Sequence, residues 1–294
     1  MISLVVSTMG RVAEIGALFD SLLAEQGAPF EVILVDQNAD RRLDALVAEY
    51  LPRLPLRHLR SAEHGAGSGA NAGRNLGLRH AAGDIVGFPD DDCVFPPGVL
   101  AKVRAAFDME GRLAILTGPA AAPEGGLGSG RWNPEGGAIT IANVWTSVIE
   151  FNLWLRRHLA LALGGFDEAM GPGARFGSAE GNDLVCRALA RGHVARYDPA
   201  LRIIHPDKRL TPEAVARAKR YGLGLGFALR RHHAPIGTWA PLLYRPLGGI
   251  GVSLLRGRML HARYYAATFQ GRLEGFLAPE ARSLPEPGPM ERAA

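Results

Sequence analysis

The sequence predicts an α/β fold, a mostly parallel sheet flanked by helices with a helical C-terminal extension. Three observations predict it. Short apolar runs rich in β-branched residues alternate with stretches of 3.6-residue periodicity. Polar clusters stand at the carboxyl ends of three of those runs, where an open parallel sheet binds its ligands. Hydrophobic residues make up 47% of 294, enough to cover both faces of such a sheet.

The elements follow in order. Residues 2–7 form a buried first strand, and Ser7 and Thr8 open the turn after it. Ile15, Leu18, Phe19, Leu22 and Leu23 share one face of a helix, which Gly27 and Pro29 end. Residues 31–36 form the second strand and finish on Asp36, Gln37 and Asn38. Leu43, Leu46, Val47 and Tyr50 mark a second helix, and 56–59 a weak third strand. A loop with Gly65, Gly67 and Gly69 leads into a helix over 71–81. Residues 85–89 form the fourth strand, which runs into Asp90, Asp91 and Asp92. Val99, Leu100, Val103, Ala106 and Phe107 give the next helix its apolar face, and 113–117 a fifth strand.

The pattern changes after Gly118. Residues 123–137 read as a loop and 144–155 as a helix. Glycines at 164, 165, 171 and 173 mark turns. Residues 180–191 are helical, 194–197 and 201–205 are short strands, and 212–232 form a helix bearing Arg217, Lys219, Arg220, Arg230 and Arg231. The tail from 277, rich in Pro, Glu and Arg, is expected to be disordered.

Composition excludes some classes. A formal charge of +4 is too diffuse to argue for nucleic acid. Two cysteines, Cys93 and Cys186, give neither a disulfide framework nor zinc spacing, which fits a reduced, cytoplasmic compartment. The N-terminus lacks the pattern of a signal peptide. The apolar stretch 236–255 is interrupted by Pro241, Arg245 and Pro246 and fails as a membrane span.

Three adjacent carboxylates at the end of a buried strand repel one another unless a cation or donor joins them. Their oxygens suit Mg²⁺ or Mn²⁺. With Ser7, Thr8, Asp36 and Asn38 converging on the same edge, they suggest a nucleoside diphosphate site. Asp36 can accept from a base N–H, Asp90 or Asp91 can hold ribose hydroxyls, and Asp92 can ligate the metal. Asn71 and Arg74 stand where the glycine loop meets a helix, a place that favours anions. Glu180 and Asp183, three apart at a helix start, offer a general base, although acidic residues also cap helices there. His205 can be a third metal or phosphate contact.

In this order, Ser7-Thr8, Val35-Asp36-Gln37-Asn38, 71–77, Gly83-Asp84-Ile85, Phe88-Pro89-Asp90-Asp91-Asp92, Gly164-Gly165-Phe166-Asp167-Glu168 and 180–184 resemble the family 2 glycosyltransferases of GT-A fold. The likeness runs from about residue 2 to 205. It implies a GT-A domain over 1–210, with a nucleotide-sugar half to 118 and an acceptor half to 210, then a helical extension over 211–276. It implies inverting transfer of a sugar from a nucleotide donor to a glycan or lipid-linked acceptor, with Mg²⁺ or Mn²⁺. Asp36 would match the base-contacting position, Asp90 and Asp92 the D-x-D motif, and 180–183 the base motif. There the chain departs from a common pattern: relatives read Glu-Asp-x-Asp, and this chain has Gly181 at the second place. Glu180 is the first choice as base and Asp183 the second. A nucleotidyltransferase would want a longer basic glycine loop after the first strand, and a non-catalytic module has only Gly181 in its favour. Basic and aromatic residues beside apolar ones after 212 suit a membrane surface as well as internal packing.

Overall fold

The computed structural model describes residues 1–279 apart from 66, 129 and 208; the tail expected to be disordered lies, from 280 on, outside the described residues. Strands β1 (Ile2–Thr8), β2 (Phe30–Asp36), β3 (Leu56–Arg60) and β4 (Ile85–Gly87) pair in parallel in the order β3-β2-β1-β4. Side chains alternate across the pleat. Leu4 and Val6 therefore meet Leu18, Phe19 and Leu22 of α1 (Ala13–Leu23), Val47 of α2 (Asp44–Tyr50) and Val103 of α4 (Val99–Met109). Val5, Ile33 and Val35 meet Leu76 of α3 (Ala70–His80), Leu159 of α5 (Arg157–Ala162) and Leu184 of α6 (Glu180–Leu189). The result is a sheet with a helical layer on each face, as predicted.

One prediction fails. Residues 144–155 are not a helix. They form two short 3-10 turns, Val144–Thr146 and Glu150–Asn152, and then strand β8 (Leu153–Arg156). Three further strands precede it: β5 (Leu113–Thr117), β6 (Ala120–Ala121) and β7 (Gly137–Ala138). β8 inserts antiparallel between β4 and β5. Both faces of the sheet there are covered, so Leu153, Trp154 and Leu155 are buried without the polar alternation of a half-exposed strand. An apolar run of this length does not distinguish strand from helix. The Trp154 ring lies against Gly87, where a Cβ would come within 2.5 Å of it.

Strand β9 (Val194–Tyr197) extends the sheet beside β5, and β10 (Ile203–Ile204) pairs with β6. Val94 and Ile204 exchange backbone hydrogen bonds, which brings the residue after β10 against the acidic triplet. Three helices complete the described chain: α7 (Pro212–Arg231), α8 (Ile236–Leu255) and α9 (Met259–Leu277). α7 and α9 pack backbone to backbone, because Gly222 and Gly226 on one and Gly271 and Gly275 on the other leave no room for a Cβ. Pro246 inside α8 has no N–H for the Leu242 carbonyl, and the Arg272 guanidinium of α9 donates to that carbonyl instead. Among the described residues no helix is long and apolar enough to cross a membrane.

Candidate active site

The carboxyl ends of β1, β2 and β4 meet at the switch between β1 and its two neighbours, and a cleft of about 850 Å³ opens there. Ser7, Arg11, Arg74, Asp90, Asp91, Asp92, Glu150, Glu180 and His205 line it on the sheet side, and α7 and α9 close the other side.

The acidic triplet divides its work. Asp91 points inward: Thr8 Oγ1 donates to its Oδ2 at 2.6 Å and Arg11 Nη1 to its Oδ1 at 2.6 Å. Burial still raises its pKa, against the pull of Thr8 and Arg11. Asp90, Asp92 and His205 converge, each offering a ligand atom within 4.8 Å of the others. Burial would raise the Asp92 pKa, but His205 and Arg11 outweigh it and hold it below the usual value. His205 is set for coordination. Its Nδ1 lies 2.9 Å from the Pro206 carbonyl, which can accept the ring N–H, so that in the neutral ring Nε2 turns a lone pair toward the site, 3.3 Å from Asp92 Oδ1. Phe151 stacks flat on the ring at 4.6 Å. Asp92 Oδ1 is buried without a hydrogen-bond partner among the described residues. An orphaned carboxylate oxygen beside a second carboxylate and a bare imidazole nitrogen is a donor set that fits a divalent cation.

Arg74 is the hub of the site. It is 4% exposed on average along its side chain, donates to Glu180 at 3.0 Å, to Asp90 at 2.8 Å and to Asn71 at 3.0 Å, and lies over the Phe166 ring. Glu180 is 3% exposed. Burial, then the nearby Glu150, pushes its carboxyl up to about 8 despite Arg74. Asp183 does not share this site, although it stands only three positions after Glu180. Its carboxylate is fully buried on another side of α6, where Arg187 Nε donates at 2.8 Å, His232 Nε2 lies at 2.8 Å and Arg231 at 3.4 Å. Burial would raise its pKa, but His232 and Arg187 outweigh that and lower it.

Three other predicted donor residues are occupied by the fold. Asp36 is 1% exposed and accepts from Asn38 at both its backbone and side-chain nitrogens, with His58 Nε2 at 3.1 Å from its other oxygen. It does not open onto the cleft. Asn38 in turn accepts from Gly10 N–H. Asn71 donates to the Asp167 and Met170 carbonyls. The sequence reasoning also passed over residues that matter. Gln37 bonds both Ser7 and the Gly69 backbone, and a Cβ at Gly73 would overlap Ser7 and Gln37. Arg11 follows the first strand closely enough to have been noticed. Glu150 was hidden in the run misread as a helix.

The Glycosyl transferase family 2 model matches residues 3–157, more than half of the chain. The chain belongs to glycosyl transferase family 2. An uncharacterized glycosyltransferase of Haemophilus influenzae is 32% identical over 120 residues, 41% of this chain and 39% of that protein. The hyaluronan synthase of Pasteurella multocida is 33% identical over 92 residues, 31% of this chain and 9% of the synthase. The chain thus spans about two fifths or less of these curated relatives. Solved structures agree over more of the length. The mannosyltransferase PcManGT of Pyrobaculum calidifontis, solved with GDP-Man and Mn²⁺, has a TM-score of 0.65 at 17% identity and covers 94% of this chain and 87% of its own. S. aureus TarS with UDP-GlcNAc has a TM-score of 0.57 at 16% identity, covering 93% and 90%. At that identity the likeness is one of fold, and the fold of this family 2 member is GT-A.

Proposed function

We propose that this family 2 member transfers a sugar, with inversion, from a UDP-, GDP- or dTDP-linked donor to a hydroxyl of a glycan or lipid-linked acceptor. The observation that carries the reading is the orphaned Asp92 oxygen facing Asp90 and His205 at the cleft. The neighbours solved with GDP-Man and Mn²⁺ and with UDP-GlcNAc support it. Asp90, Asp92 and His205 would hold Mg²⁺ or Mn²⁺. Bound there, the ion would neutralise charge on the departing diphosphate.

The protein's own groups do the rest. Ser7 and Asp90 face the donor side of the cleft, and Arg11 and Arg74 bring positive charge to it. Residues to 118 form the donor half, and 119–210 supply the wall with Glu180. Of the two predicted bases only Glu180 stands at the cleft. Attack from the face opposite the diphosphate inverts the anomeric centre, by the geometry that governs inverting hydrolases. A thermal-shift panel of UDP, GDP and dTDP with and without Mn²⁺ tests this. One nucleotide is expected to raise the melting temperature, more so with the metal. A flat response across all three refutes the reading.

The acceptor side favours a membrane surface, which would place the protein peripherally on the cytoplasmic face. Residues 214–273 contain ten Lys and Arg and no Asp or Glu. Tyr244, Leu247, Val252, Leu254 and Leu255 of α8 are exposed beside Arg245 and Arg256. Apolar side chains rimmed by cations suit anionic lipid. Co-sedimentation with vesicles containing phosphatidylglycerol is expected, and Leu247→Glu with Leu255→Glu should abolish it. Equal sedimentation of wild type and the double variant refutes docking through α8.

A further inference from the structure

Glu150 lies in the 3-10 turn before β8, half-buried, with its carboxylate over the start of α6. The Gly181 N–H donates to Glu150 Oε1 at 3.0 Å. A Cβ on residue 181 would stand 3.0 Å from that same oxygen and 3.1 Å from Glu150 Cγ, and the three nearest atoms all belong to Glu150. The Glu150 carboxylate therefore fills the space that a side chain at 181 would take. Position 181 is where this chain carries glycine in place of an acid. The carboxylate at the start of α6 is thus delivered from another segment, at a place where the helix itself carries glycine.

Glu150 and Glu180 both line the cleft, but they are held differently. Glu180 is buried and tied to the Arg74 guanidinium, which also grips Asp90. Glu150 accepts a neutral backbone N–H and forms no ion pair with the described residues. It is the more open of the two and the less committed to a cation. We propose that Glu150 is the general base of the transfer and that Glu180 positions Arg74.

The proposal rests on the transfer reading above. The acceptor oxygen bonds to the anomeric carbon. The bond from that carbon to the diphosphate oxygen breaks, and its electron pair leaves with the nucleoside diphosphate. The acceptor proton ends on the Glu150 carboxylate. Burial and the nearby Glu150 raise the Glu180 carboxyl to about 8, which disfavours Glu180 as the acceptor of that proton at neutral pH.

Glu150→Gln tests this without disturbing the fold, because the amide oxygen still accepts from Gly181 N–H. Donor binding is read as the thermal shift given by UDP-GlcNAc and by GDP-mannose with Mn²⁺. Turnover is read as release of UDP or GDP to water across pH. Glu150→Gln is expected to keep the wild-type shift, to lose about 100-fold or more in release, and to lose the acidic limb of the pH–rate profile. Glu180→Gln is expected to keep that limb. In Glu150→Ala the space over 181 opens, and adding Gly181→Asp is expected to recover at least about tenfold of the release by restoring the carboxylate. Glu150→Gln releasing within threefold of wild type, or retaining the acidic limb, overturns the proposal. Wild-type protein whose melting temperature is shifted by none of UDP, GDP and dTDP, with or without Mn²⁺, would sink the transfer reading itself, a distinguishable result.

Discussion

Replacing Arg74 by Met keeps most of the volume and removes the charge, and the consequence depends on pH. Arg74 bonds Asn71, Glu180 and Asp90 from an almost fully buried position. Breaking a buried pair ordinarily costs about 3–5 kcal/mol, because a charge is left stranded. Glu180 can escape that penalty by keeping its proton, since its folded value already stands at about 8. At pH 6.5 the loss should therefore shrink to that of the charged hydrogen bond to Asp90, about 1.5–3 kcal/mol. The sign at higher pH follows from proton linkage. The folded value of Glu180 is raised above the ordinary 4.5, so the native state binds the extra proton and stability falls as pH rises through that window. In the wild type the fall ends near pH 8. Without Arg74 the folded value rises further and the fall continues, adding up to about 1.4 kcal/mol of difference per pH unit. Urea unfolding of both proteins at pH 6.5 and 9.5 measures it. A destabilisation under about 1 kcal/mol, or one equal at the two pH values, would refute the role given to Arg74.

Asp92→Ala should abolish the Mn²⁺-dependent part of the donor-induced thermal shift and spare the part seen without metal; an unchanged Mn²⁺ dependence would remove Asp92 from the ligand set. Trp154→Ala should cost about 3–5 kcal/mol in urea unfolding, as expected for truncating a buried aromatic ring, and a loss below about 1 kcal/mol would mean that β8 is not seated between β4 and β5. Asp183→Ala should destabilise by about 3–5 kcal/mol at neutral pH. Its folded pKa lies below the ordinary 3.8, so the linkage part of that contribution is present above 3.8 and is lost as pH falls through the folded value; the gap in denaturation midpoint between variant and wild type should be smaller at pH 3 than at pH 7, and an equal gap would refute it.

Residues 1–118 were legible because each element carries its own signal. Isolated apolar runs, helical periodicity and glycine punctuation agree there, and local choice matches tertiary outcome. The second half was legible only in part. Residues 153–155 carry no alternation because the sheet buries both their faces, so periodicity could not report a strand. The sequence reads 71–77 as an anion-favouring helix start and 164–168 as a turn, two unconnected features. The structure shows one joint: Asn75 bonds the Phe166 backbone in both directions, and Asn71 bonds the carbonyls of Asp167 and Met170. Asp36 was legible as an acid at a strand end, but no local pattern records that His58, on the next strand of the chain and adjacent in the sheet, occupies it. Glu150 acquires its place only through the packing of the β8 turn on α6, a contact between segments about thirty residues apart.

The ion cluster around Asp183 bears on how such a protein should be dissected. Asp183 holds Arg187, whose guanidinium also bonds the Leu163 and Gly165 carbonyls, and it holds His232 just past the end of α7. One carboxylate thus pins the start of α6, the 163–165 turn and the base of the C-terminal helices. A mutational scan scored on product alone would rank Asp183 beside the chemistry, since losing it would let the wall of the cleft slide away from Glu150 and Glu180. Scored on folding as well, the same residue becomes the fastener that joins α6 and the 163–165 turn to the C-terminal helices, and variation in those helices is tolerable only where it leaves that fastening intact.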